Sequence, residues 1–150
     1  MDRLRTAARI RERYGDRAWA IITLAPFWAF FGLHELLAPA QLSEGAPIEM
    51  LPGWVRGPAW LGTATYAVLH ATRSDAHRLS ITLLMLMPAM RLLSYLTQGG
   101  MVAVESVTPL DIESASLPYG PWGWAHSVCL YGLMTWAVVM VARTPPRMEE

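Results

Sequence analysis

The chain has 150 residues, of which 53% are hydrophobic and only 16% charged, and its formal net charge is zero. Soluble domains usually carry about 25% charged residues, so this composition argues against a water-soluble domain and favours a membrane protein. The single cysteine, Cys129, lies inside an apolar run, which excludes an intrachain disulfide framework. We therefore expect one all-α domain built from membrane-spanning helices.

The first 17 residues carry six arginines and few large apolar side chains. Such a basic segment is expected to be either an amphipathic helix on the membrane surface, with its arginines at anionic lipid head groups, or a solvated tail that only fixes topology. No patterned aromatics or second basic patch accompany it, so nucleic acid is not an expected partner.

Four apolar stretches have the length, or nearly the length, of a membrane-spanning helix. They are residues 18–38, 57–72, 79–97 and 121–142. The first contains Pro26 and the third contains Pro88, and each proline is expected to kink its helix. The sequence therefore predicts a bundle of four helices, all of them membrane spans.

The connections between these stretches differ in length and charge. Residues 73–78 form a short polar turn, which makes the second and third spans antiparallel neighbours. Residues 39–58 are rich in proline and glycine and are predicted to be a loop that leads into the second span. Residues 98–120 contain three acidic residues and no basic one, and are predicted to be a long outer loop. Within it, residues 101–107 are expected to form a short strand or to lie on the membrane.

The arginines are segregated among these segments. The N-terminal tail, the 73–78 turn and the C-terminal tail share ten arginines, whereas the other two loops share only Arg56. Because cytoplasmic loops carry an excess of arginine and lysine, both termini are expected to be cytoplasmic.

Small residues recur at every fourth position of the second span, at Ala59, Thr63, Ala67 and Ala71. Such a stripe lets another helix backbone approach closely. It indicates either a face for self-association or packing within one bundle, and periodicity does not separate the two.

Arg91 is the only charged residue in the third span. A charge at that depth costs at least about 2.5 kcal/mol, so it needs a partner. Counting the helix rise from the cytoplasmic side puts Glu35, His34 and His126 near the depth of Arg91. Our hypothesis is that Glu35 is the counter-charge and that His34 or His126 completes an intramembrane polar network. The alternative is that Arg91 reaches the interface on its flexible stem.

Pro88 lies one turn before Arg91 and leaves the carbonyl of Leu84 without its usual backbone donor. The resulting bend is expected to swing the arginine toward the first span, so that the kink and the charge work together. If so, replacing Pro88 should weaken the pairing of Glu35 with Arg91.

Cofactor and catalytic sites have little support in the sequence. His34 and His126 are the only histidines at matched depth, and two such residues could ligate a haem axially. No CxxCH, HExxH or GxSxG pattern is present. We therefore expect no metal, no cofactor and no enzymatic activity, with a bis-histidine haem protein as a remote alternative.

The segment LPGWVRGPAW at residues 51–60, the arginine-rich start and the compact four-span layout resemble small membrane proteins of bacteriophages that infect high-GC actinobacteria. Some of those proteins are regarded as holins. The resemblance implies a protein of the bacterial cytoplasmic membrane that forms a homo-oligomer and permeabilises the membrane for host lysis. The alternative is a non-lytic accessory subunit or exclusion factor that binds a partner through its acidic outer loop.

Overall fold

The computed structural model describes residues 2–37, 51–73, 77–108 and 120–145, and for residues 2–14 and 120 it describes the backbone alone. All regular structure in these ranges is helical, as the sequence predicted. The four helices are α1 (Asp2–Leu37), α2 (Gly53–His70), α3 (His77–Val107) and α4 (Gly120–Arg143).

The basic N-terminal segment is the first part of α1. The helix is interrupted at Gly15, whose φ of 86° lies in the left-handed region that glycine adopts without steric cost. This break separates the arginine-rich segment from the apolar part of the helix, so the two parts can follow different directions.

α3 is longer than the sequence predicted. The expectation of a short strand for residues 101–107 is wrong, because the helix continues to Val107. Adding residues to an existing helix avoids the cost of nucleation, so even a valine-containing stretch extends it readily. Similarly, α2 begins at Gly53, within the segment predicted to be a loop.

Three helical stretches are long and apolar enough to cross a membrane, namely residues 15–37, 77–107 and 121–143. α2, with 18 residues, is not among them. The helical bundle therefore has the character of a membrane protein.

The helices form an up-and-down bundle. Gly32 and Glu35 of α1 lie against Gly57 and Gly53 of α2, so α1 and α2 are antiparallel. Tyr95 and Gly99 of α3 lie against Tyr131 and Trp124 of α4, so α3 and α4 are antiparallel as well. All four helices contribute apolar side chains to one core. Its most buried large members are Ile21, Trp28, Trp60, Leu84 and Val138.

Glycines allow α1 and α2 to approach closely. A Cβ atom on Gly32 would lie 3.0 Å from the carbonyl oxygen of Gly57, and one on Gly57 would lie 3.0 Å from that of Gly32. A Cβ atom on Gly53 would lie only 2.5 Å from the carbonyl oxygen of Glu35. These contacts place the end of α1 directly beside the start of α2.

The four-residue stripe of α2 does not form a single face. Ala67 and Ala71 are buried, Thr63 is half-buried and Ala59 is exposed. Four residues advance an α-helix by about 40° more than one full turn, so such a stripe drifts around the helix. Ala67 and Ala71 pack within the bundle, and Ala59 remains on its surface.

Candidate functional site

Charged side chains from three helices meet where α1 ends and α2 begins. Glu35 lies in the last turn of α1, Arg56 in the first turn of α2 and Arg91 in the middle of α3. The Nη2 atom of Arg56 lies 3.0 Å from Oε2 of Glu35, and Nη2 of Arg91 donates to the other carboxylate oxygen, Oε1. We call these three residues the charged cluster.

The fourth helix also contributes to this site. The Nη1 atom of Arg91 donates to the hydroxyl oxygen of Tyr131 in α4 at 3.1 Å. The guanidinium carbon of Arg91 lies 5.5 Å from the centre of the same ring, within the range of a cation–π interaction. Every helix of the bundle therefore supplies one side chain to the site.

The charged cluster lies inside the protein. Arg56 and Arg91 are each 5% exposed, and the side chain of Glu35 is 12% exposed. Charges removed from water are tolerated only when they are paired and hydrogen-bonded. Two guanidinium groups share one carboxylate, so the three side chains carry one more positive than negative charge.

An aromatic layer lies beside the charged cluster. Phe31 stacks on Trp60 with ring centres 5.5 Å apart, and Tyr95 stacks on Tyr131 at 5.8 Å. Phe31 and Tyr131 join these pairs at 6.2 Å. Through these ring contacts the layer packs on both sides of Tyr131, whose hydroxyl oxygen accepts from Arg91.

The two histidines named from the sequence lie elsewhere. His34 and His126 are both exposed on the surface of the bundle, whereas the charged cluster is buried. His34 is adjacent to Glu35 in the chain, but successive helix residues are about 100° apart around the axis, so the two point in different directions. Arg56 and Tyr131 take the place that the sequence hypothesis gave to a histidine.

The exposure of both histidines argues against the haem alternative, because His34 and His126 do not face a common interior space in which a haem could bind. Within the described ranges, no group of three or more histidine, cysteine, aspartate or glutamate side chains could hold a metal ion.

Pro88 is buried, and the carbonyl oxygen that it leaves without a backbone donor in α3 is hydrogen-bonded by a side chain of α1. The carbonyl oxygen of Leu84 accepts a hydrogen bond from the indole Nε1 of Trp28 at 2.8 Å. Trp28 precedes Glu35, and Leu84 precedes Arg91, by the same two turns of helix. α1 and α3 are thus joined twice in register, once at the carbonyl that Pro88 leaves without a backbone donor and once at the charged cluster. Pro26, by contrast, lies exposed on α1.

Arg56 and Tyr131 were missed by the sequence argument. Arg56 lies in a stretch rich in glycine and proline that predicted a loop, and Tyr131 lies in an apolar run without a charged neighbour. The sequence does contain one indication that Arg56 is unusual. It is the only arginine in the two loops that the topology rule assigns to the outside. An arginine that departs from the topology rule is a candidate for a buried partner.

Together these features define a class of protein: a four-helix bundle with membrane-type helices that conceals a charged cluster in its interior. No protein-family model matches the chain, and no significant match is found among curated proteins or solved structures. The functional conclusion therefore rests on the bundle and its buried charges.

Proposed function

We propose that this chain is an integral protein of the bacterial cytoplasmic membrane with holin-like function, which self-associates and permeabilises the membrane for host lysis. The observation that carries the proposal is the burial of the charged cluster. Apolar residues at such positions are often as stabilising as a buried ion pair, so stability alone does not require these charges. A bundle that opens, however, needs groups that are concealed in one state and meet water in the other.

The outer surface of the bundle supports self-association in a membrane. Phe27 and Phe30 of α1 are 60% and 63% exposed, and Leu133 and Trp136 of α4 are 65% and 61% exposed. In a bilayer these side chains would face lipid or a second copy of the protein. Ala59 adds an exposed small residue at which another helix backbone could approach.

The orientation that we propose has four spans and both termini in the cytoplasm. Arg17 of α1 donates to the carbonyl oxygens of Ala142, at 3.0 Å, and of Thr144, so the basic ends of α1 and α4 lie together. The turn after α2 lies at the same end of the bundle. Under the positive-inside rule this end faces the cytoplasm, with the N-terminal arginines at anionic lipids and the charged cluster in the outer half of the membrane.

Cysteine labelling tests this orientation at two exposed positions of a Cys129→Ser protein. Leu51→Cys, just before α2, should react with a membrane-impermeant maleimide added to intact cells. Thr72→Cys, in the turn after α2, should react only after the cells are permeabilised. The opposite pattern would invert the proposed orientation, and reaction of both positions in intact cells would exclude a spanning α2.

Inducible expression in bacteria with a membrane-potential dye tests the permeabilising function. The wild-type protein should depolarise the membrane abruptly once it has accumulated. A variant with Glu35→Leu, Arg56→Leu and Arg91→Leu should accumulate to the same level without depolarisation, because no charges remain to meet water. Glu105→Leu, a carboxylate outside the charged cluster, is the matched control and should behave as wild type.

An unchanged potential and normal growth at the same membrane level of wild-type protein would refute the holin-like function. That result would favour the non-lytic accessory subunit or exclusion factor. The extension of α3 to Val107 shortens the segment to which that alternative assigns partner binding, and residues 109–119 lie outside the described ranges.

A further inference from the structure

α3 directs polar side chains into the bundle along most of its length. His77 and Ser80 lie near its start and Ser94 and Gln98 in its second half, and each is at most 6% exposed. Arg91 lies on the same buried face. His77 and Gln98 are about 31 Å apart along the helix, which is the thickness of the hydrocarbon region of a bilayer.

Several polar atoms on or near this face have no hydrogen-bond partner within the described ranges. They are the Oγ atoms of Ser80 and Ser94, Nδ1 of His77 and Nε of Arg56. Buried polar groups of this kind are usually satisfied by internal water. If the helices moved apart, these atoms would meet water at two levels, one beside His77 and Ser80 and the other beside Ser94 and Arg56.

An apolar section separates the two levels. It consists of Ile81, Leu84 and Met87 of α3, together with Trp28 of α1, and each of these side chains is less than 10% exposed. Narrow apolar sections of this kind close a water-filled path by excluding water. If a path follows this face of α3, the described structure is its closed state.

We propose that the permeabilising opening runs through the interior of the bundle along the polar face of α3, and that it passes small inorganic anions such as chloride in preference to cations. This inference rests on the proposed permeabilising function and adds its route and its permeant ion. The preference follows from the charged cluster, in which two arginines outnumber one glutamate, since rings of basic side chains favour anions.

Current measurements in planar lipid bilayers containing the purified full chain test this route. Under a gradient of KCl, the reversal potential of the wild-type protein should lie toward the equilibrium potential of chloride. Leu84→Ser should raise the conductance several-fold, because a polar side chain admits water to the apolar section. Leu86→Ser is the matched control, since Leu86 is 47% exposed on the outside of the same helix, and it should leave the conductance unchanged.

A second pair of variants tests the selectivity. Arg56→Gln should move the reversal potential toward zero, whereas Arg78→Gln, at an exposed arginine at the start of α3, should leave it in place. If Arg56→Gln does not fold, Ser94→Ala provides an independent test and should lower the conductance without changing the ion preference.

The outcomes separate this inference from the proposed function. Equal passage of potassium and chloride would overturn the anion preference, and equal responses to Leu84→Ser and Leu86→Ser would overturn the route through the bundle. Either result would leave permeabilisation standing. Depolarised cells combined with electrically silent bilayers would also overturn the route alone. Silent bilayers combined with undisturbed cells would overturn both proposals.

Discussion

The contacts between helices differ between two halves of the bundle, one containing the charged cluster and the other containing Ile21 and Val138. In the first, which we call the outer half, Glu35 joins two arginines and glycines bring α1 against α2. In the second, the inner half, the apolar core is largely aliphatic, and the polar contacts between helices run from Arg17 and His77 to backbone carbonyl oxygens. Truncating an aliphatic core side chain lowers the free energy of unfolding roughly in proportion to the atoms removed. Removing one partner of a buried ion pair costs more, because it leaves the other charge buried without a counter-charge. The two halves should therefore respond differently to single substitutions.

The largest effect is expected for Glu35→Leu, which leaves Arg56 and Arg91 buried without their shared carboxylate. The free energy of unfolding should fall by about 3–5 kcal/mol. In the inner half, Ile21→Val should cost only about 0.5–1.5 kcal/mol. Unfolding of the purified protein in mixed detergent and SDS micelles, followed by circular dichroism, measures both values. Similar losses for the two substitutions would show that the halves do not differ.

A smaller loss is expected where backbones touch in the outer half. Gly53→Ala would place a methyl group 2.5 Å from the carbonyl oxygen of Glu35, and overpacking of this kind costs about 1–3 kcal/mol. Gly62→Ala on the same helix meets no atom within 4 Å and should instead gain about 0.5–1 kcal/mol. The same micelle assay compares them. Equal gains at Gly53 and Gly62 would mean that helix propensity, not close approach, determines the effect.

The smallest effect is expected beside Pro88, between the two halves. Trp28→Phe removes the donor to the carbonyl oxygen of Leu84 and should cost about 1 kcal/mol beyond the packing change. In a Pro88→Ala background that carbonyl regains a backbone donor, so Trp28→Phe should cost less. A double-mutant cycle measures the difference, and an unchanged cost would show that Trp28 does not compensate for the proline.

The sequence was most informative about position along the helix axis. An apolar run of fixed rise gives the depth of each residue, and this is why Glu35 could be proposed as the partner of Arg91. Rotation about the axis was less accessible, because it depends on how the four helices pack. For this reason His34, next to Glu35 in the chain, was placed in the same network although it lies on the surface.

Arg56 shows a second limit of the sequence argument. Glycine and proline normally indicate a loop, but Gly53 and Gly57 are helical and serve to bring α2 against α1. That close approach carries Arg56 inward to Glu35. The helical state of this stretch can be recognised only when the neighbouring helix is known, because glycine is the signal both for close helix packing and for a turn.

The most direct test concerns whether Glu35, Arg56 and Arg91 act as one energetic unit. The free energy of unfolding should be measured for Glu35→Leu, Arg56→Leu, Arg91→Leu and the combined triple variant. If the charges form one unit, the triple variant should be more stable than Glu35→Leu alone, because no unpaired charge remains buried. Losses that add to the triple value within about 0.5 kcal/mol would contradict this and would indicate three independent side chains.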